Sequence, residues 1–247
     1  MTSDWKRSHN IPFPTIWHRF TGRKPTSNGE LPNFWVQDMP EDLYEVAINL
    51  MQKHFLRDEP LGRFSKAIDN PVFVEEWTEV LNEVLKDRLA LVCFMENPDK
   101  TRQPIIAGLN ITAVARKDEK LPQGVSKQGR QFVQTAEFLS KMKDPFDTLG
   151  VNEYLTAYGL LVLPEFRGQN LGLEILKARE PLCKAVGLKA TVTMFTSIIS
   201  QKLAERAGFK VLSEISYLKL EEIDPFLTFP GIHEHTKNVK NMYLTYE

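Results

Sequence analysis

The chain has 247 residues, enough for one large domain or two small ones, and its 42% hydrophobic content can fill a sizeable core. Its 31 Lys and Arg against 32 Asp and Glu leave a net charge of -1 with no long block of like charge, so nucleic acid and anionic membrane surfaces are not expected partners. Cys93 and Cys183 show neither disulfide nor metal spacing, and no apolar run has the length of a signal peptide or a membrane span, so a cytoplasmic setting is expected.

Residues 1–31 scatter Pro12, Pro14, Gly22, Pro25 and Gly29 among aromatic residues and read as an irregular lead-in before a domain over 32–247. A strand is expected near 33–38. A helix then opens at Pro40-Glu41-Asp42, where proline suits the first turn and the acids complement the helix dipole. It fades at Asp58-Glu59-Pro60, because proline disfavours helical geometry in the residue before it. Phe73, Trp77, Val80, Leu81 and Val84 form one stripe of a second helix over 71–86. Apolar runs at 89–95 and 105–114, separated by Asn97-Pro98-Asp99, read as an antiparallel hairpin. A polar loop over 117–130, placed as a lid would be, precedes a helix at 132–142.

Residues 154–163 read as a strand, 164–170 as a turn and 171–186 as a helix. A strand at 189–195, a short helix at 197–207 stopped by Gly208, a strand at 209–218 and a last strand at 240–246 complete the chain. His233 and His235 lack a third partner at metal-binding spacing and read as a solvated loop, so no metal is expected.

A strand that enters a tight turn and then a helix N-terminus gathers unpaired amides suited to a diphosphate. Val162 to Gly172 has this order, although strand-to-helix turns of ordinary α/β proteins also hold Arg and Gly. The segment resembles the coenzyme A pyrophosphate loop of the GCN5-related N-acetyltransferases, whose pattern is Arg or Gln, two residues, Gly, one residue, then Gly or Ala. Arg167 and Gly172 match its ends and Asn170 replaces its middle glycine; asparagine tolerates positive φ better than most residues. The downstream order agrees, since Ser197 to Phe209 resembles the short helix ending in Ala-Gly-Phe that follows the loop in that family. Pro40-Glu41-Asp42 and His54-Phe55-Leu56-Arg57-Asp58-Glu59-Pro60-Leu61 resemble the opening of the insect arylalkylamine N-acetyltransferases.

The resemblance implies an α/β fold with a mixed, mostly antiparallel sheet of about seven strands flanked by helices. It implies acetyl-CoA as donor, held by Leu161, Val162, Leu163, Arg167, Gly168, Gln169, Asn170, Leu171, Gly172 and Leu173 near a splay of two central strands. It further implies transfer of the acyl group to a small primary amine, with Glu59 as general base and a backbone amide of 161–163 facing the oxyanion. Thr196, Ser197 and Ser200 stand near the family's serines that serve the departing thiolate. Asp58 and Glu59 also read as solvating a helix end, and Ser197 as a helix N-cap. Polyamine, amino-acid or protein-lysine acceptors, longer acyl donors, and a catalytically degenerate coenzyme A binder remain alternatives.

Overall fold

The computed structural model describes residues 5–26, 28–119 and 123–246. Eight strands form one sheet: β1 Ile16–Thr21, β2 Asn33–Asp38, β3 Leu91–Met95, β4 Ile105–Arg116, β5 Glu153–Val162, β6 Ala190–Phe195, β7 Lys210–Ser216 and β8 Asn238–Thr245. The helices are α1 Tyr44–Leu50, α2 Leu56–Asp58, α3 Pro60–Phe64, α4 Pro71–Leu85, α5 Lys127–Met142, α6 Pro145–Leu149, α7 Leu171–Lys177, α8 Arg179–Val186, α9 Ile198–Arg206, α10 Tyr217–Ile223 and α11 Ile232–His235. The strand order is β1-β2-β3-β4-β5-β6-β8-β7, antiparallel throughout except between β5 and β6.

One face of the sheet packs Val92, Phe94, Leu109, Ile111 and Leu161 against Phe73, Trp77, Leu81 and Leu85 of α4. The other packs Leu91, Cys93, Ala107 and Leu155 against Leu171, Ile175, Leu182 and Cys183 of α7 and α8. Both thiols are buried and free, and burial pushes Cys183 up to about 12. Among the described residues no helix is long and apolar enough to cross a membrane.

Four expectations need correction. The lead-in is not irregular throughout, because Ile16–Thr21 adds an eighth strand to the sheet. It is pinned by Arg7, whose guanidinium holds the fully buried Asp38 through two bonds of 2.9 and 2.8 Å, while Thr15 N and Trp17 Nε1 donate to the same carboxylate. The helix expected over 171–186 breaks at Ala178, since Pro181 has no N–H for the carbonyl of Lys177 and its ring crowds that carbonyl. The strand expected over 209–218 ends at Ser216, whose hydroxyl accepts from Lys219 N and starts α10. The helix expected at 132–142 begins earlier, at Lys127, because Ser126 caps Gly129 N. Residues 120–122 of the expected lid loop lie outside the described residues.

Candidate active site

Pro60 ends one helical segment and opens the next, leaving Glu59 extended (ψ 126°) as the N-cap of α3. Its carboxylate accepts from Leu61 N at 3.1 Å and Gly62 N at 2.6 Å, and the Thr196 hydroxyl donates to Oε1 at 2.6 Å. Glu59 and Thr196 are each only 8% exposed. Burial raises the proton affinity of Glu59 above that of an ordinary glutamate, against the opposing pull of its three hydrogen bonds. A carboxylate so raised is a better proton acceptor near neutral pH than an exposed one.

Glu59, Thr196 and Ser200 line a single cavity of about 1170 Å³ that also touches Phe55, Trp77 and Leu160. Its position follows from the sheet. β5 and β6 pair at only one register, Leu155 with Thr191, so the two parallel strands diverge toward Val162 and Phe195. Phe55 belongs to a π-helical turn, Met51–Phe55, that presses on the sheet where Tyr158 bulges out of the β4–β5 ladder. Gly159 next to the bulge has φ +150°, and a Cβ there would stand 2.9 Å from the Phe55 ring. The Phe55 and Trp77 rings stack 6.0 Å apart and nearly parallel, 3° between planes. Phe73 and Phe132, 5.5 Å apart, line the same cavity.

The backbone narrows the oxyanion expectation to one amide. Leu163 N donates to Ala107 O, and hydrogen-bonded pairs alternate along an antiparallel ladder, so Leu161 and Leu163 direct their amides to β4. Of residues 161–163 only Val162 turns its amide to the gap, as Leu160 does one step earlier. The Val162 carbonyl on that side accepts from Arg167 Nε at 3.4 Å.

The three hydroxyl side chains divide between two environments. Ser197 and Ser200 form a capping box on α9, with Ser197 Oγ donating to Ser200 Oγ at 2.9 Å and Ser200 Oγ to Ser197 O at 2.9 Å. Thr196 is bonded to Glu59 instead. Tyr217 was not anticipated: its hydroxyl donates to Thr196 O at 3.0 Å, and burial, then the Glu59 charge, push its proton affinity well up. No sequence motif marks it, because α10 is brought to α9 only by the sheet.

The turn after β5 offers donors without acceptors. Among the described residues the amides of Gly168, Asn170, Leu171 and Gly172 find no partner, and Gly168 and Asn170 take positive φ of 87° and 69°. Arg167 Nη2 meets Asp58, the neighbour of Glu59, at 2.5 Å. The residues therefore fit a diphosphate, with the strand gap beside them for a thioester arm. His233 and His235 are exposed on α11, and no cluster of three metal-binding side chains occurs among the described residues.

Comparison with solved structures decides the family. A protein of the yellow fever mosquito Aedes aegypti, named "insect putative arylalkylamine N-acetyltransferase 7" in its crystal structure, is 38% identical over 99% of this chain and all of that one, with a TM-score of 0.91. The chain belongs to the arylalkylamine N-acetyltransferase-like group of the GCN5-related N-acetyltransferases. Two other solved structures share the fold at lower identity. Arylalkylamine N-acetyltransferase 2 of Aedes aegypti is 18% identical over 87% of this chain and 99% of its own, with a TM-score of 0.70. The polyamine N-acetyltransferase of Drosophila melanogaster, which forms N-acetylagmatine, is 16% identical over 86% and 99%, with a TM-score of 0.67. No family profile matches the sequence, and neither does any curated protein.

Proposed function

We propose that this N-acetyltransferase-like protein moves an acetyl group from acetyl-CoA to a small primary amine, an arylalkylamine, with Glu59 as general base. The observation that carries the reading is the position of Glu59, a buried carboxylate of raised proton affinity facing an aromatic cavity at the splay of β5 and β6. An alkylamine is mostly protonated near neutral pH, so attack on a thioester requires a group that takes its proton. Glu59 receives that proton directly or through water. The amine nitrogen bonds to the carbonyl carbon, the carbon–sulfur bond breaks, and sulfur departs as thiolate to be protonated on release. The Val162 and Leu160 amides facing the gap supply donors for the developing oxyanion. Thr196 holds the base, and the Ser197–Ser200 pair stands next to it for the thiolate. The unpaired amides of 168–172 receive the coenzyme A diphosphate.

The aromatic lining supports an arylalkylamine. A second reading, a polyamine or agmatine, rests on the carboxylates of Glu76, Glu83, Asp87, Glu119, Glu137 and Asp144 along the same cavity, which would attract a polycation. Thiol release from acetyl-CoA with dopamine, serotonin, octopamine, agmatine and spermidine separates the two. Glu59→Gln is expected to lower kcat by roughly 10²–10⁴-fold on the preferred amine while coenzyme A still binds. A variant as fast as the wild type would remove Glu59 from the chemistry.

A further inference from the structure

The amino-terminal segment, outside every motif that identified the family, closes against the diphosphate turn. Gln169 of the turn is tied to it three times: its Oε1 accepts from Arg23 N at 2.6 Å and Lys24 N at 2.7 Å, and its Nε2 donates to Lys24 O at 2.8 Å. His18 of β1 meets Glu174 of α7 at 2.8 Å. A run of rings, His18, Phe20, Phe34 and Phe166, carries the contact from β1 to the turn, with centroids 5.6, 5.3 and 6.4 Å apart.

These bonds set the Lys24 side chain on Gly168. A Cβ on that glycine would lie 2.7 Å from Lys24 Cε and in contact with its ammonium, so the close approach depends on glycine at the turn. The charges nearby are otherwise engaged. Arg167 pairs with Asp58, Arg206 donates to Asn170 Oδ1 at 2.9 Å, and Glu174 is shared by His18, Asn170 and Lys177. Among the described residues the Lys24 ammonium has neither a carboxylate nor a hydrogen-bond acceptor. An unpaired cation thus lies over a turn whose amides are also unpaired, on a residue whose backbone is tied to that turn.

We propose that Lys24 is a donor-binding residue that pairs with the diphosphate of coenzyme A, so that the amino-terminal segment forms one wall of the donor site. The proposal rests on the acyl-transfer reading for the identity of the donor. Bound anion, amides and ammonium would complete each other's charge, and the short tether through Gln169 keeps the Lys24 backbone beside the turn before the ligand arrives.

The test is calorimetric binding to the full-length protein of coenzyme A, of dephospho-coenzyme A, which keeps the diphosphate but lacks the 3′-phosphate, and of pantetheine, which has neither. Lys24→Ala, a change at an exposed side chain, is expected to weaken coenzyme A and dephospho-coenzyme A alike by about tenfold and to leave pantetheine unaffected. The ratio should shrink as salt rises, and Lys24→Arg should restore most of the affinity. Equal binding of coenzyme A by variant and wild type overturns the proposal alone. Loss confined to coenzyme A moves the contact to the 3′-phosphate and overturns the diphosphate assignment, and an equal loss for pantetheine shows a merely structural role. A wild type that binds no coenzyme A overturns the donor reading itself.

Discussion

At the scale of single residues, hydrogen bonds and desolvation pull Glu59 in opposite directions, and desolvation wins. The Thr196 hydroxyl is the first of the opposing contributions. Thr196→Val should therefore raise the proton affinity of Glu59 further and move the acid limb of the kcat/KM profile to higher pH, with Thr196→Ser restoring it. An unmoved limb in the valine variant would mean that Thr196 does not act on the base. A second carboxylate tests burial without catalysis. Burial pushes Asp87 up to about 6 from 3.8, opposed by its bond from Val114 N and by Arg116. With the folded value raised, the stability that Asp87 contributes is present below about 4 and lost as pH rises through about 6. Asp87→Asn should gain on the wild type in thermal unfolding across that window and hold its lead above it. A difference independent of pH would show that Asp87 is not desolvated.

At the scale of elements, Arg7 and Asp38 join the amino-terminal segment to β2 through a buried ion pair. Removing one partner strands the other charge, so Arg7→Ala should lower the unfolding free energy by about 3–5 kcal/mol, read from urea unfolding. A loss under 1 kcal/mol would mean that Thr15 and Trp17 suffice for Asp38. Most elements that carry their own punctuation were legible in the sequence: Pro40, Pro60, Pro71 and Gly208 mark helix ends where the chain does turn. The β1 strand was not, because its partner β2 lies beyond a Pro- and Gly-rich loop and pairing is a non-local property. The end of β7 at Ser216 was missed for a different reason, since the apolar pattern continues through Tyr217 and Leu218 while a single hydroxyl cap decides the turn.

At the scale of the whole molecule, the site exists because β5 and β6 part after one rung. Arg179, 1% exposed, lies beneath that gap and bonds Asn110 of β4 at 3.0 and 2.8 Å and Thr191 and Thr193 of β6 at 3.2 and 2.9 Å. It holds β6 to β4 across the strand between them, and burial lowers its pKa only to about 10, so it stays charged at neutral pH. Glu59 and the turn over 167–172, proposed as base and diphosphate site, could be singled out in the sequence because each lies in a short motif. The aromatic wall was not, since Phe55, Trp77, Phe132 and Tyr158 come from four segments that only the folded sheet assembles; nor was Tyr217 or Lys24, for the same reason.

The most direct measurement is kcat/KM for an arylalkylamine with acetyl-CoA across pH 5 to 9, for the wild type and Glu59→Gln. The account predicts a wild-type profile that rises as Glu59 ionises, above the ordinary glutamate range, and a much slower variant whose profile rises only with the amine's own loss of its proton. Superimposable profiles of equal height would contradict it.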